Sequence, residues 1–163
     1  MADVHNSETR SRNMAAIKSG DTKPEMMIRR GLHASGLRFR LHDSQLPGKP
    51  DMVLPRHHVV IFVNGCFWHG HDCSMFHWPK TRAEFWQAKI GGTVFRDQRN
   101  REALVALGWR IGTIWECAVK GPKRQEIEKL LDHMVAAILD PRNAHFWFQG
   151  GGGDLDKVIL HSV

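Results

Sequence analysis

Val59-Val60-Ile61-Phe62-Val63-Asn64-Gly65-Cys66-Phe67-Trp68-His69-Gly70-His71-Asp72-Cys73 runs from an unbroken apolar stretch straight into a loop of thiols, imidazoles and paired aromatics. Five consecutive apolar residues, four of them β-branched, read as a buried strand. A loop leaving the end of such a strand can hold a metal clip, a catalytic side chain and a stacking wedge in fixed relation. That combination points to a nucleic-acid enzyme more than to a binding module.

Upstream of the strand, Asp51-Met52-Val53-Leu54 and the turn at Pro55-Arg56-His57-His58 complete a hairpin with it. Asp51 at the start of one strand then lies close to Val63 and Asn64 at the end of its antiparallel neighbour. The Val63 carbonyl, the Asn64 amide and the His69 imidazole can gather around a hard cation held on that carboxylate, since Mg²⁺ prefers oxygen ligands. Read in isolation, Asp51 is as well explained as a turn residue following Pro50.

Further out, Leu37, Phe39 and Leu41 alternate with Arg38 and Arg40 as a half-buried strand. Before it, Thr22-Lys23-Pro24-Glu25 has the form of a capping box, Met27, Ile28 and Leu32 give a helical apolar face, and Gly36 stands where a helix ends. Downstream, Thr81-Arg82-Ala83-Glu84 reads as a second capping box opening a helix to Ile90. Gly91-Gly92 is expected to interrupt it before a further helix at 94–107, ended by Gly108. Trp109 to Glu116 is a fourth strand. Ile127, Leu130, Leu131, Met134 and Ile138 define a last helix, stopped at Asp140-Pro141. The expected architecture is α/β: a hairpin-rich mixed sheet flanked by helices, without a strict βαβ alternation.

The 163 residues fit one domain, with residues 1–21 a basic arm rather than a packed element, 22–140 the folded unit and 141–163 a tail. Lys and Arg number 23 against 17 Asp and Glu, an excess of +6 that suits an anionic partner, most commonly nucleic acid. No apolar stretch reaches the roughly 20 residues that span a bilayer, and no signal-peptide core opens the chain, so a cytoplasmic protein is expected.

Three cysteines, Cys66, Cys73 and Cys117, argue against a disulfide scaffold. Thiolate with imidazole is the ligand set of tetrahedral zinc. Cys66 and Cys73 with one imidazole supply three ligands from one loop, and Cys117, just past the fourth strand, closes the set. Spacing alone leaves His69, His71 and His77 as competing imidazoles. Four protein ligands make such a zinc structural, so the chemistry lies elsewhere. Phe67 and Trp68, adjacent in a polar loop, cannot easily both point inwards and are candidate stacking groups. Phe76, Trp78, Phe85, Trp86, Trp109 and Trp115 are expected to pack the core or the zinc lobe.

Taken together, Pro47-Gly48-Lys49-Pro50-Asp51, Phe62 through His71, Phe85-Trp86, Lys89, Arg96-Asp97 and Gly108-Trp109 through Trp115-Glu116-Cys117 closely resemble the very short patch repair (Vsr) endonucleases of bacteria. Arg10-Ser11-Arg12-Asn13-Met14 and Asp21-Thr22-Lys23-Pro24-Glu25 match as well, so the resemblance covers residues 7–118. It implies a restriction-endonuclease-like core with a structural zinc. It also implies a Mg²⁺-dependent enzyme that nicks double-stranded DNA 5′ of the thymine in T:G mismatches left by deamination of 5-methylcytosine. A functional link to a cytosine-5 DNA methyltransferase, assistance from mismatch-repair proteins, action as a monomer and a nucleoid-associated location follow from the same likeness.

By position, the resemblance makes Asp51 the Mg²⁺-binding carboxylate, with the Val63 carbonyl as a further ligand, and His69 the group that activates water. Glu25 and Asp97 correspond to outer carboxylates that hold metal-bound waters or orient His69. Cys66, His71, Cys73 and Cys117 match the zinc ligands. Phe67 and Trp68, with Met14 of the arm, match the wedge inserted beside the mismatch. Two positions depart from the pattern. Asn64 stands where the family frequently has His beside the scissile phosphate, and Thr93 where it often has Asn near the mismatch-reading Lys89. The competing readings are a restriction-type nuclease on matched DNA, which the lack of a Glu-x-Lys motif on the 59–63 strand disfavours, and a zinc-stabilised mismatch binder that does not cut.

Overall fold

The computed structural model describes residues 6–15 and 20–151, without the side chains of Arg10 and Met14. A five-stranded mixed sheet runs in chain order, β1 (Arg40–Leu41), β2 (Met52–Leu54), β3 (Val59–Asn64), β4 (Arg110–Trp115) and β5 (His145–Phe148). The first three strands are antiparallel, and β3, β4 and β5 are parallel. Met52 faces Ile61 and Leu54 faces Val59, so the expected hairpin forms, its turn closed by the left-handed His58. Helices α1 (Ser7–Ala15), α2 (Lys23–Ala34), α3 (Ala83–Ala106) and α4 (Ile127–Leu139) complete the described chain. None of them is long and apolar enough to cross a membrane.

Period-two alternation along the strands divides the core between the two faces of the sheet. Met52, Leu54, Val59, Ile61, Ile114, Phe146 and Phe148 pack against Ile28 and Leu32 of α2 and Leu130, Met134 and Ile138 of α4. Val53, Val60 and Ile111 turn the other way, onto Leu104 of α3. Gly112 belongs to the first face because a Cβ there would collide with the Phe146 ring at 2.3 Å.

Several expectations are corrected. The residues 141–163 expected as a tail contain β5, whose Phe146 and Phe148 are core; residues 152–163 lie outside the described chain. Gly91-Gly92 does not break α3, which is one helix of 24 residues. Two glycines cost about 1 kcal/mol each relative to alanine, and burying Ile90, next to them, and Leu104, near the helix end, returns a comparable amount each. Arg82, left-handed and without a capping side-chain bond, starts that helix, so the second capping box is not formed. Thr22 does cap α2, accepting from the Glu25 N–H at 3.4 Å. The buried stripe of α2 is Glu25, Ile28 and Leu32, while Met27 is 41% exposed. The strand expected over 37–41 shrinks to Arg40–Leu41, both exposed. Within the arm, Ser7–Ala15 is helical, and its described side chains are mostly exposed.

Candidate active site

Asp51 precedes β2 at the edge where the β2–β3 ladder ends. Extending the register by two residues sets Val63 opposite Pro50, which has no N–H to offer. The Val63 N–H is taken instead by Asp51 Oδ2 at 2.7 Å. Within one strand residue the N–H and C=O face the same neighbour, so the Val63 carbonyl points to the same side, where proline leaves it no backbone donor. Asp51 and Val63 thus meet at one strand edge, as the hairpin reading expected.

The Asp51 carboxyl is 18% exposed. Burial pushes its pKa from 3.8 to about 6, the nearby Glu25 adds to the rise, and the Val63 N–H together with His42 and His69 opposes it. A carboxylate held short of full ionisation at the end of a sheet, among hard oxygens, suits a divalent cation.

His69 donates from Nδ1 to Asp97 Oδ2 at 2.5 Å, a contact between the loop after β3 and the middle of α3. An ionised carboxylate on Nδ1 fixes the tautomer and leaves Nε2 as the basic nitrogen. Gly70, at φ +60, lets the loop turn against α3: a Cβ there would press on Ile90 at 2.9 Å. Asn64 ends β3 and is buried.

Glu25 is 2% exposed and accepts from three donors. Its Oε1 accepts from Arg29 at 2.8 Å and His42 Nε2 at 2.6 Å, and its Oε2 from the Asp21 N–H at 2.9 Å. His42 Nε2 is also 3.9 Å from Asp51 Oδ1. Sequence reasoning missed Arg29 and His42. Arg29, four residues after Glu25 on one helix, carried a signal that spacing offers; His42, 17 residues away, carried none.

The ligand atoms of Cys66, His71, Cys73 and Cys117 all lie within 4.8 Å of one another. Tetrahedral ligands about 2.3 Å from a metal stand about 3.8 Å apart, so the four fit a shared ion. Burial, with the neighbouring thiols, pushes the Cys66 thiol well above its ordinary range, and burial does the same to Cys117; a bound cation reverses both. His71 Nδ1 faces Cys117 Sγ at 3.6 Å, its Nε2 meets the Gln149 amide oxygen at 2.9 Å, and the Gly150 N–H donates to the same sulfur at 3.2 Å. The His71 ring stacks on Trp115 at 4.0 Å and 5°. His69 faces Asp97 instead, and His77 is exposed outside the cluster.

Phe67 and Trp68 are each half-buried, edge-to-face at 5.1 Å. Both join Trp86 of α3, at 5.3 and 6.1 Å, and Phe67 stacks on Phe76. Trp86, expected in the packing, therefore belongs to the same aromatic group, while Trp78 and Phe85 are exposed rather than core. Lys89 is exposed one turn before Thr93, whose hydroxyl donates to the Lys89 carbonyl and accepts from Arg96 at 3.2 Å. Met14 lies on α1 and its side chain is outside the described part.

The profile of the family "DNA mismatch endonuclease Vsr" matches residues 2–75. The DNA mismatch endonuclease Vsr of Escherichia coli is 47% identical over 163 residues, 99% of this chain and 98% of that protein. The chain belongs to the Vsr family. It is accordingly a nuclease, which sets aside the reading of a binder that does not cut. Two other relatives are named as type II nicking enzymes. V.XorIIP of Xanthomonas oryzae is 42% identical over 134 residues, covering 81% of this chain and 98% of that one. V.NmeAIP of Neisseria meningitidis is 36% identical over 140 residues, 85% and 100% of the two chains.

Proposed function

We propose that this nuclease nicks one strand of duplex DNA 5′ of the thymine in a T:G mismatch, starting repair of deaminated 5-methylcytosine. The observation that carries the proposal is the single loop 64–73. It sets His69, braced by Asp97, beside Asp51, and in the same turn sets Phe67 and Trp68 against Trp86. Reacting group and aromatic cluster are thereby held in one rigid unit. The substrate of the relative named a mismatch endonuclease, and the strand count of those named nicking enzymes, point the same way.

Asp51 and the Val63 carbonyl would hold Mg²⁺, which supplies charge neutralisation on the phosphate and lowers the pKa of nearby water. His69 Nε2 takes the proton of the attacking water, and Asp97 stabilises the imidazolium that results. Glu25 has one lone pair left to orient a water in the site. Asn64, neutral at the end of β3, positions without exchanging a proton. Cys66, His71, Cys73 and Cys117 would hold Zn²⁺ as a structural ion, fixing the loop to the end of β4. The sheet is read as a restriction-endonuclease-like core. The arm through Met14, the exposed edges of Phe67, Trp68 and Trp86, and Lys89 with Thr93 form the DNA face. Unstacking costs a few kcal/mol per step and least at a mismatched pair, so an aromatic wedge favours T:G over matched DNA.

The working unit is a monomer in the bacterial cytoplasm, at the nucleoid, linked functionally to a cytosine-5 methyltransferase and assisted by mismatch-repair proteins. End-labelled duplexes carrying T:G, C:G or T:A at one position, with randomised flanks and Mg²⁺, test the assignment. A nick confined to the thymine strand of T:G duplexes is expected. Equal cleavage of both strands of matched DNA, or no nick in any T:G context, overturns it.

A further inference from the structure

Glu25 accepts three protein donors although it lies where a nuclease needs negative charge. A carboxylate oxygen offers about two acceptor sites. Arg29 and His42 fill those of Oε1, and the Asp21 N–H takes one on Oε2, so the direction of the remaining lone pair is fixed by the fold. The Arg29 fork also reaches the Asp21 carboxylate, making one cation shared by two acids.

We propose that Arg29 and His42 are positioning residues of the nuclease site. They hold Glu25 in a single orientation beside Asp51, and Arg29 is the resident cation that keeps the Asp21–Glu25–His42 group from taking a metal ion of its own. This rests on the reading that Asp51 holds the divalent cation.

Four observations carry it. Ligand atoms of Asp21, Glu25 and His42 lie within 4.8 Å of one another, the spacing of a metal's inner shell. Arg29 Nη2 bonds to both acids of that group, so the positive charge is part of the chain rather than borrowed from solution. The Arg29 Nε is buried with no hydrogen-bond partner among the described residues, a penalty the fold tolerates to keep the fork on those carboxylates. Asp21 and His42 both adopt left-handed backbone, at φ 55 and 47, a region uncommon for L-residues although Asp and His enter it more readily than most. His42 is walled in by the chain as well, since a Cβ on Gly20 would stand 3.0 Å from its ring. Its Nε2, bonded to Glu25 and 3.9 Å from Asp51, sets the distance between the two acids.

The test uses the full chain with its zinc, without DNA, and Mn²⁺ as probe followed by electron paramagnetic resonance; nicking of a T:G duplex is then titrated with Mg²⁺. Wild type is expected to bind one Mn²⁺ that Asp51→Ala loses. Arg29→Met is expected to bind a second equivalent while nicking at saturating Mg²⁺ falls about tenfold, because Glu25 is freed both to ligate and to wander. A merely structural loss would weaken binding and turnover together. Arg29→Lys is expected to keep a single equivalent. His42→Ala is expected to keep one equivalent and slow turnover about tenfold. A folded Arg29→Met with one Mn²⁺ overturns the resident-cation role, and Arg29→Gln repeats the measurement if Arg29→Met fails to fold. Undiminished turnover in His42→Ala overturns its positioning role. Wild type without bound Mn²⁺, or Asp51→Ala binding as wild type does, overturns the cation reading of Asp51 instead.

Discussion

Replacing Asp51 by Asn separates what the site does from what the fold prefers. The carboxyl is mostly buried, and its pKa is lifted from 3.8 to about 6 by burial, with Glu25 adding to the rise. Keeping it ionised at about pH 7.5 without a cation therefore costs about 2–3 kcal/mol, at roughly 1.4 kcal/mol per pH unit. Asn keeps the shape and an oxygen for the Val63 N–H but carries no charge. In Mg²⁺-free, chelator-free buffer, which would leave an ion at the cysteine–histidine cluster in place, Asp51→Asn is expected to melt about 4–10 °C above wild type. The folded carboxyl titrates above the unfolded one, so wild type loses this stability as pH rises from about 4 through about 6. The gap between the two proteins should thus be widest above about pH 6.5 and close near pH 4. Mg²⁺ should raise the wild-type Tm and leave the variant unmoved, and nicking by the variant should fall by about a thousandfold or more. Scanning calorimetry across pH measures all but the last. A variant no more stable than wild type at about pH 7.5, or a gap that ignores pH, would refute the burial argument.

Asp97→Asn should leave folding intact and reduce single-turnover nicking by about a hundredfold, with His69→Ala worse; equal rates for Asp97→Asn and wild type would remove Asp97 from the site. Cys117→Ser should abolish the bound metal in elemental analysis and lower the Tm by 10 °C or more, on the order of the folding energy that a structural zinc contributes. Trp86→Ala should weaken binding to T:G duplexes about five- to thirtyfold, by about 1–2 kcal/mol, and matched DNA less. A uniform loss on both would assign Trp86 to packing alone.

The hairpin was legible because a period-two run, a turn and a second apolar run leave one register that buries both strands. That register then set Asp51 against Val63 before any coordinates. A cysteine–histidine cluster was legible from chemistry, since three thiols and an imidazole have few other uses, but spacing left His69, His71 and His77 open, and only the family likeness pointed to His71, which the structure brings to the three cysteines. Three features were not legible, each for a physical reason. Gly91-Gly92 has the composition of a break, but contacts at Ile90 and Leu104, remote in sequence, outweigh propensity. His145-Phe146-Trp147-Phe148 is a short run between a proline and a row of glycines, and only an open sheet edge at β4 makes it a strand. The clamp on Glu25 joins residues 21, 25, 29 and 42 through space, and a positive-φ histidine in a loop announces nothing in one dimension.

The hydrogen bonds from the 149–150 segment onto His71 and Cys117 couple two events separated in time as the chain is made. Residues 66 to 117 are made before the 149–150 segment that bonds to them. The pairing of β5 with β4 is parallel and cannot begin until α4 has crossed the sheet. A chain that stops short of β5 therefore lacks both these hydrogen bonds and the core residues Phe146 and Phe148. The Cys66–His71–Cys73–Cys117 cluster thus gains these hydrogen bonds only once β5 has paired, a delay suited to an enzyme whose product is a broken DNA strand.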